Sequence, residues 1–446
     1  MRPTPRAPVS GRSPGVLALP CKVFGAPEVA FLADAVPATI STLLSGVDGL
    51  DNQVPPAGIE VDKVKGDRAR LAERYQVSSF IVTSITTSPG RFALNVQLVD
   101  ATTGNSWWGQ QYEGPREAYN ELARQAAEGI RQAVTPNTSP VPTAAVSSEA
   151  ELAYREGAYF SNRYNNFHDQ SNFDLALAAF QRALALAHGL ADAAGEIAML
   201  SVYRFESGTT PARETVPVIE RWASRALAIS PCFVRGLSAL CAVELERPVQ
   251  SARRMVEYGL NAASCGPTDG RAQFFLGYGA DAGRLTSVAI AAYLEAYRLD
   301  PLYVYPPYNA AVWLRGLGRP EEALRLLDQA LTTEPDMYSL LLDRVVTLVD
   351  LGRLAEAETN LKPLEAQAEK NPALTIYTPV IRSALSLAAG DRRAAETALT
   401  RVFSLIRSER GTGLLLGSAN AYVAPPLARH GRATKAVDIL QRAAAV

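Results

Sequence analysis

Small and helix-ending residues recur at a fixed spacing in the second half of this chain. Gly318 and Gly352 lie 34 residues apart, and each fits a turn in which a residue with positive φ ends a helix. Ala323, Leu327 and Ala330 fall at positions i, i+4 and i+7, on one face of the intervening helix. One helical hairpin cannot bury such a face alone, so the spacing predicts hairpins that stack into a solenoid.

The same pattern returns on both sides of this unit. Toward the carboxyl terminus, with looser spacing, it is carried by Gly352, Ala357 and Leu361, by Gly390, Ala395 and Leu399, and by Gly431, Ala436, Leu440 and Ala443. Upstream it is carried by Gly277, Ala289, Tyr293, Ala296 and Pro301. A 34-residue period with small residues at fixed places resembles the tetratricopeptide repeat, a helix–turn–helix unit. The resemblance implies about eight such repeats and a groove that binds partners.

The first 134 residues show a different pattern. Apolar or alternating runs typical of strands occur at 16–19, 79–85, 91–98 and 106–112, and helical periodicity occurs at 28–47, 68–75 and 115–134. Turn-forming residues separate the last three strands. The order βα(β)αβββα predicts a small α/β sandwich, in which helices cover one or both faces of a mixed sheet.

This region also resembles a known domain. The opening strand ends in a Leu-Pro pair, residues 31–34 (Phe-Leu-Ala-Asp) lead a helix, and residues 96–104 read Val-Gln-Leu-Val-Asp-Ala-Thr-Thr-Gly. With Trp108 and Tyr112 after that turn, residues 14–134 resemble the TolB amino-terminal-like domain. In bacterial signalling proteins that domain often lies between an effector and a tetratricopeptide array. The effector is a protein kinase, an adenylate cyclase or a winged-helix regulator, and none is found in this chain.

Composition sets the expected domain boundaries. Residues 1–13 hold three arginines and three prolines, which suits a disordered tail. A linker is expected at 135–148, because three prolines among Ser and Thr disfavour both helix and sheet. The predicted fold class is α+β overall, with a small α/β sandwich domain at 14–134 and an all-α solenoid of the tetratricopeptide type at 149–446. We expect the two to fold independently.

Charge and cysteine content exclude some classes of function. The chain has 44 basic and 45 acidic residues, a net charge of −1, and nucleic-acid binding needs a basic face. Cys21, Cys232, Cys241 and Cys265 form no C-x-x-C pair. Neither a metal knuckle nor a disulfide framework is therefore predicted, and the cysteines are expected to be small core residues.

No motif for chemistry is found along the chain. His168, His188 and His430 have no second ligand at metal spacing, and no phosphate-binding loop or nucleophile elbow occurs. Residues 277–283 (Gly-Tyr-Gly-Ala-Asp-Ala-Gly) superficially resemble a dinucleotide-binding loop, but they follow no strand and fit the repeat frame better. We therefore expect no enzymatic activity, no cofactor and no metal.

Apolar segments give no sign of export or membrane insertion. The run at 15–19 is too short for a signal peptide, and the charge-free segment 411–428 contains three glycines and a Pro-Pro pair. These features predict a cytoplasmic protein without direct membrane insertion. A periplasmic location is the alternative if an upstream membrane anchor is missing from this chain.

The family resemblance also implies which residues face the groove. In tetratricopeptide arrays the second, fifth, ninth and twelfth residues of the inner helix point inward. In this sequence these places hold Tyr154, then Arg271, Phe274 and Tyr278, then Tyr305, Tyr308 and Arg315. Aromatic residues and arginines commonly anchor interfaces, so we predict that these seven bind a partner and that Tyr308 and Arg315 are exposed. The lysine and asparagine set that clamps a free carboxyl terminus is absent.

Two classes of function are consistent with the sequence. In the first, the chain is a non-catalytic scaffold whose groove binds a protein or peptide, in bacterial signalling or regulation. In the second, it is the sensory half of a kinase, a cyclase or a winged-helix regulator whose effector lies elsewhere. Neither the partner nor the oligomeric state follows from the sequence.

Overall fold

The computed structural model describes residues 15–64, 66–141, 147–206, 210–244, 251–368 and 372–407. Its strands are β1 (Gly15–Ala18), β2 (Lys22–Phe24), β3 (Asp51–Gln53), β4 (Ser79–Ser88), β5 (Arg91–Asp100) and β6 (Ser106–Pro115). The helices of the α/β domain are α1 (Leu32–Leu44), α2 (Gly58–Lys63), α3 (Arg68–Tyr75) and α4 (Tyr119–Val134).

Helical hairpins follow. They are formed by α5 (Ser148–Phe167), α6 (Gln170–Leu186), α7 (Ala191–Glu206), α8 (Ala212–Ile229), α9 (Val234–Val243), α10 (Ala252–Cys265), α11 (Gly270–Ala282), α12 (Thr286–Leu299), α13 (Tyr305–Gly316), α14 (Pro320–Leu331), α15 (Tyr338–Asp350), α16 (Leu354–Gln367), α17 (Pro372–Ala388) and α18 (Arg392–Arg407). The predicted α+β class is confirmed.

The sheet of the α/β domain is mixed, as predicted. Its order is β3-β1-β4-β5-β6, and β2 also pairs with β4. The first strands run parallel, whereas β4, β5 and β6 form an antiparallel meander. Gly90 and Gly104 have positive φ in the two turns of this meander, where the left-handed backbone favours glycine.

Both faces of the sheet are covered by apolar residues. On one face α1 and α4 pack through Ile40, Leu44 and Ile130, each fully buried. The segment Pro27–Leu44 is long and apolar enough to cross a membrane, but 56% of it is buried in this core. The segment 411–428 lies outside the described residues. On the other face α3 packs through Leu71.

A residue of the repeats completes the second face. Leu302, which follows α12 and is 3% exposed, belongs to the same apolar cluster as Leu17, Leu71 and Tyr75. Arg74 Nη1 donates a hydrogen bond to the carbonyl oxygen of Pro301 at 3.2 Å. The α/β domain is therefore docked on the repeats by a shared core.

The linker begins as part of the α/β domain. Val141 is 5% exposed within the cluster formed by α1 and α4, and its N–H donates to Glu128 Oε2 at 3.1 Å. Leu152 of α5 joins the same cluster. One compact unit runs to Tyr303 and a second begins at Val304, so the division falls within the repeats and not in the linker. This packing is at odds with the expectation of two independently folding units.

Each repeat contributes one inner and one outer helix. In the first unit the inner helices α5, α7, α9 and α11 contact one another in sequence, and in the second unit α13, α15 and α17 do the same. The outer helices α6, α8, α10 and α12, and then α14, α16 and α18, pack on the inner helices. Because the hairpins stack through their inner helices, the array has an inner face and an outer face.

The residues that predicted the repeat lie where the spacing requires. Ala323, Leu327 and Ala330 are all fully buried. Gly318 and Gly352 adopt φ of 73° and 72° in the turns between paired helices. The last predicted repeat, with its anchors from Gly431 to Ala443, and the tail at 1–13 lie outside the described residues, as does His430.

The glycines of segment 277–283 serve helix packing. They lie in and just after α11, and a Cβ on Gly277 would approach the Tyr293 ring to 2.6 Å. A Cβ on Gly279 would overlap the carbonyl oxygen of Met255 in α10. Backbone cannot move aside as a side chain can, so these glycines permit close helix contact.

The cysteines differ from expectation. Cys21 and Cys241 are buried, as predicted, and burial raises the pKa of each thiol to about 12. Cys232 and Cys265 instead form a disulfide with a Cα–Cα distance of 5.3 Å. It joins the turn before α9 to the end of α10, the two ends of one helical hairpin. The expectation that these two are core residues is wrong, because a bridge between cysteines 33 positions apart has no local sequence motif.

Gly279→Ala tests the packing of α10 on α11. We expect a loss of about 1–3 kcal/mol of unfolding free energy, because the added methyl overlaps backbone. Gly316→Ala is the matched control: it is also helical, no atom lies within 4 Å of the position that its Cβ would take, and we expect no loss. Urea unfolding measures both. Equal stability of the two variants would contradict the close approach.

Candidate functional site

The inner helices of the first unit bring polar side chains together beneath the α/β domain. A cavity of about 180 Å³ is lined by residues of all four inner helices and by Asp34, Pro55, Pro56 and Ala57 from the α/β domain. Its inner-helix residues include Tyr154, Arg155, Tyr159, Glu196, Tyr203, Arg235 and Arg271. Two of the predicted groove residues, Tyr154 and Arg271, therefore lie in this cavity.

Three arginines line the cavity in different environments. Arg155 is paired with Glu151 at 2.7 Å and donates to Thr42 Oγ1 at 3.3 Å. Arg235 is paired with Glu196 at 3.2 Å. Burial opposes the charge on Arg235, but Glu196, Asp269 and Tyr203 together outweigh this effect and raise the pKa of Arg235.

Arg271 is the exception among the three. Its guanidinium lies 3.9 Å from the centre of the Tyr303 ring, a cation–π contact. Within the described ranges no carboxylate lies at ion-pair distance from it. Burial opposes its charge, yet Tyr303 and Tyr203 with the more distant acids raise its pKa above the usual range.

Carboxylates of the cavity are held in a poorly solvated environment. Asp34 Oδ1 accepts a hydrogen bond from the N–H of Gly58 at 2.7 Å. Burial raises the pKa of Asp34 to about 6 despite this bond. Burial likewise raises the pKa of Glu196, and Arg235 offsets only part of the effect. The cavity thus combines charges of both signs.

Phe274 and Tyr278 pack within the repeats. Their rings are stacked with centroids 6.1 Å apart, and Phe274 also contacts Tyr293 and Tyr303. Both are partly buried against an apolar cluster that contains Phe275. In this position Phe274 supports Tyr303, the ring on which Arg271 lies, and Tyr278 packs on Phe274.

Arg315 was predicted to be exposed, but its side chain is largely buried. Its side chain is 13% exposed and is paired with Asp343 at 2.8 Å and with Asp350 at 3.0 Å. Asp343 is fully buried, so the ion pairs tie α13 to α15. The prediction failed because the two acids lie one repeat further along the chain. Tyr308 is half-buried, whereas Tyr305 is 50% exposed.

Several cavity residues were not predicted from the sequence. They are Asp34, Arg155, Glu196, Tyr203 and Arg235. One signal was available: Arg235 precedes Arg271 by 36 residues, close to the repeat period, so both fall at similar places on inner helices. Asp34 carried no such signal, because it belongs to the other domain.

Arg315→Ala should destabilise the second unit. Removing the guanidinium leaves Asp343 buried without its charge partner, and we expect a loss of about 3 kcal/mol, the lower end for a buried pair. Arg319→Ala, which removes an exposed i,i+3 pair with Glu322, is the control and should change the stability little, because water screens such a pair. Thermal denaturation of both variants measures the two changes in stability. A neutral Arg315→Ala would refute the structural role.

Asp34 should make stability depend on pH. Its folded pKa of about 6 exceeds the usual 3.8, so the folded state holds more protons between these values and stability falls as pH rises from 4 to 6. Asp34→Asn removes this decline. Relative to wild type, the variant should gain about 1–2 kcal/mol between pH 4.5 and pH 7 in urea unfolding.

The control for this measurement is Asp336→Asn, at an exposed aspartate in the turn after α14. Its stability should follow that of the wild type at both pH values. A difference between Asp34→Asn and wild type that does not change with pH would show that Asp34 is not buried as described.

Comparison with known proteins bears on the repeats. Residues 314–375 match the tetratricopeptide repeat family. Together with the helical hairpins, this match supports a tetratricopeptide repeat array. No curated protein matches the chain. The resemblance of residues 14–134 to the TolB amino-terminal-like domain stays a prediction.

Several solved structures are similar to parts of the chain. The structure from the functional characterisation of Pseudomonas aeruginosa PilF is 18% identical, covers 50% of this chain and 96% of its own, and has a TM-score of 0.38. A tetratricopeptide repeat protein from Parabacteroides merdae is 14% identical over 58% of this chain and 98% of its own, with a TM-score of 0.38. The human IFIT1 dimer with PPP-AAAA is 11% identical, covers 73% of this chain and 80% of its own, and has a TM-score of 0.45.

Proposed function

We propose that this protein is a non-catalytic scaffold that binds a protein or peptide on the inner face of its second unit. The observation that carries the proposal is a pair of exposed tyrosines at the starts of two inner helices. Tyr305 of α13 is 50% exposed and Tyr338 of α15 is 40% exposed. Exposed aromatic rings on a rigid helical surface are common anchors of protein interfaces.

A third tyrosine extends this surface. Burial raises the pKa of Tyr338, and Tyr377 of α17 raises it further. Tyr305, Tyr338 and Tyr377 thus follow successive inner helices. Aromatic side chains on successive inner helices suit an extended segment of a partner.

The inner face of the first unit is occupied by the protein's own α/β domain. Lys63 Nζ donates to Asn166 Oδ1 of α5 at 2.9 Å, and Leu302 completes the core on α3. A peptide would have to displace this domain. Partner binding by Tyr154, Arg271, Phe274 and Tyr278 is therefore not part of the proposal.

The absence of catalysis is also part of the proposal. Among the described residues no group of three or more His, Cys, Asp or Glu side chains could hold a metal ion. His168 ends α5 in a left-handed conformation, with φ of 53°, which is a capping role. The two free cysteines are buried, and their raised pKa values disfavour the nucleophilic thiolate.

A second candidate is the sensory half of a signalling protein. The cavity between the α/β domain and the repeats favours it, because a ligand there would touch both parts and could change how firmly they are docked. The resemblance to the TolB amino-terminal-like domain points the same way, toward bacterial signalling. The two candidates are compatible if the second unit binds the partner.

We also propose that the protein matures in an oxidising compartment, in agreement with the periplasmic alternative. The disulfide between Cys232 and Cys265 supports this proposal, since such bonds are rare where glutathione and thioredoxin keep thiols reduced. Cys232 is exposed, so cellular reductants could reach the bond.

The scaffold proposal is tested by selecting peptides from a displayed library on the full-length protein. Tyr305→Ala with Tyr338→Ala should weaken the binding of the selected peptides by at least about 30-fold, because the loss of even one aromatic anchor costs about 2 kcal/mol. The melting temperature should change little. Isothermal titration gives the affinities.

Leu260→Ala with Leu294→Ala is the matched control. Both leucines are similarly exposed, at 48% and 40%, but lie on the outer helices α10 and α12. This variant should bind like the wild type. If both double variants bind equally well, or if only the control loses binding, the partner surface is not on the inner helices.

The compartment proposal is tested in the cells that make the protein. Acid quenching followed by a maleimide-polyethylene glycol label under denaturing conditions counts the free thiols. We expect two labels, on Cys21 and Cys241, and four after reduction with dithiothreitol. Four labels without reduction would place the protein in a reducing compartment.

A further inference from the structure

We propose that the cavity beneath the α/β domain binds a small organic anion through Arg271. This site is separate from the partner surface of the second unit and does not depend on it. The ligand class is a small carboxylate or phosphate that also carries a hydroxyl or amino group. The charges, the hydrogen-bonding groups and the size of the cavity each support this assignment.

Arg271 supplies the positive charge. Arg155 and Arg235 are each already paired with a carboxylate, at 2.7 and 3.2 Å, whereas Arg271 lies on the face of Tyr303 and has no carboxylate at ion-pair distance among the described residues. Asp300 and Glu60 compensate its charge only from further away. A largely buried guanidinium without a direct ion pair is costly, and its planar set of donors suits carboxylate or phosphate oxygens. An anion bound in the cavity would therefore reduce the free-energy cost of burying the Arg271 charge.

Tyr154 supplies a neutral donor beside the arginines. Its side chain lines the cavity, and its hydroxyl has no hydrogen-bond partner in the part of the chain that the structure describes. The Arg155 guanidinium lies 5.2 Å from the centre of its ring, which limits the movement of both side chains. A fixed O–H near a buried cation is a good second donor to an anion.

Asp34 requires a hydrogen-bond donor on the ligand in place of a second negative charge. Its carboxylate accepts one hydrogen bond, from Gly58, and among the described residues no cation lies within ion-pair distance. A ligand with negative charge at both ends would be repelled by Asp34. A molecule with an anionic group that binds Arg271 and a hydroxyl or amino group that donates to Asp34 complements both side chains.

The size of the cavity sets the scale of the ligand. Its volume of about 180 Å³ is far above the roughly 10–15 Å³ that one water molecule needs. It is also below the range of drug-sized sites, which begins near roughly 300 Å³. A metabolite of a few carbon atoms fits this range, whereas a peptide does not.

Another cavity of the first unit is a weaker candidate. It measures about 270 Å³ and lies beside α5 and α6. Its Arg182 is already paired with Glu156 at 2.6 Å and is more than half exposed. Charge in that cavity is compensated by the protein itself and by water, so nothing there calls for a ligand.

Thermal denaturation and isothermal titration of the full-length protein test the proposal. The probes are 3-hydroxybutyrate, succinate and inorganic phosphate, with choline as a cation. We expect 3-hydroxybutyrate to raise the melting temperature more than succinate, which carries a second carboxylate in place of the hydroxyl group. A stronger response to phosphate than to 3-hydroxybutyrate would identify phosphate esters as the ligand class. Arg271→Gln should weaken binding about tenfold or more.

Two further variants show whether a loss of binding by Arg271→Gln could come from misfolding. Ala158→Leu narrows the cavity from α5 without changing a charge and should also abolish binding. Arg298→Gln removes a 64% exposed arginine of α12 and should bind as the wild type does. The proposal is overturned if none of the three anions binds, if choline alone binds, or if Arg271→Gln and Ala158→Leu both retain wild-type affinity.

Discussion

Docking of the α/β domain on the inner face of the first repeats is the interaction on which the rest of this structure depends. Leu302 enters the apolar cluster of Leu17, Leu71 and Tyr75, so a residue that follows the fourth repeat helps α3 to bury one face of the sheet. Without Leu302, part of that face would be open to water. The burial of these side chains, at about 25 cal/mol per Å² of apolar surface, fixes the domain where a tetratricopeptide array would otherwise offer a groove.

This docking explains the unusual charge distribution. Inner helices of a repeat array carry polar and aromatic side chains because their face is normally in contact with water or a partner. Once the α/β domain covers that face, Arg155, Arg235 and Glu196 become poorly solvated and must pair with one another or with Glu151. Arg271 lies on an aromatic ring instead, and the acids that compensate its charge are not at ion-pair distance. The second unit keeps exposed tyrosines on its inner helices, so the two units suit different kinds of ligand.

The local features of this fold were predictable from the sequence and the long-range ones were not. Gly318, Gly352 and Ala323 encode turns and close helix contacts within one hairpin, and the alternation in β4 to β6 encodes a meander, so both were predicted correctly. The contacts of Lys63 with Asn166 and of Arg74 with Pro301 join residues more than 100 positions apart, and no periodicity encodes them. The ion pairs of Arg315 and the disulfide of Cys232 were not predicted for the same reason, because each partner lies 28 to 35 positions further along the chain. Tyr154 and Arg271 were placed correctly on inner helices, yet the cavity around them could not be foreseen.

Cleavage of the linker tests the docking most directly. A protease site inserted between Pro142 and Val146 of the full-length protein separates the α/β domain from the repeats covalently. If the shared core holds the domain in place, the two fragments stay associated in size-exclusion chromatography after cleavage and unfold in one transition with the first repeats. Fragments that elute separately and melt independently would contradict the docking, and with it the existence of the cavity.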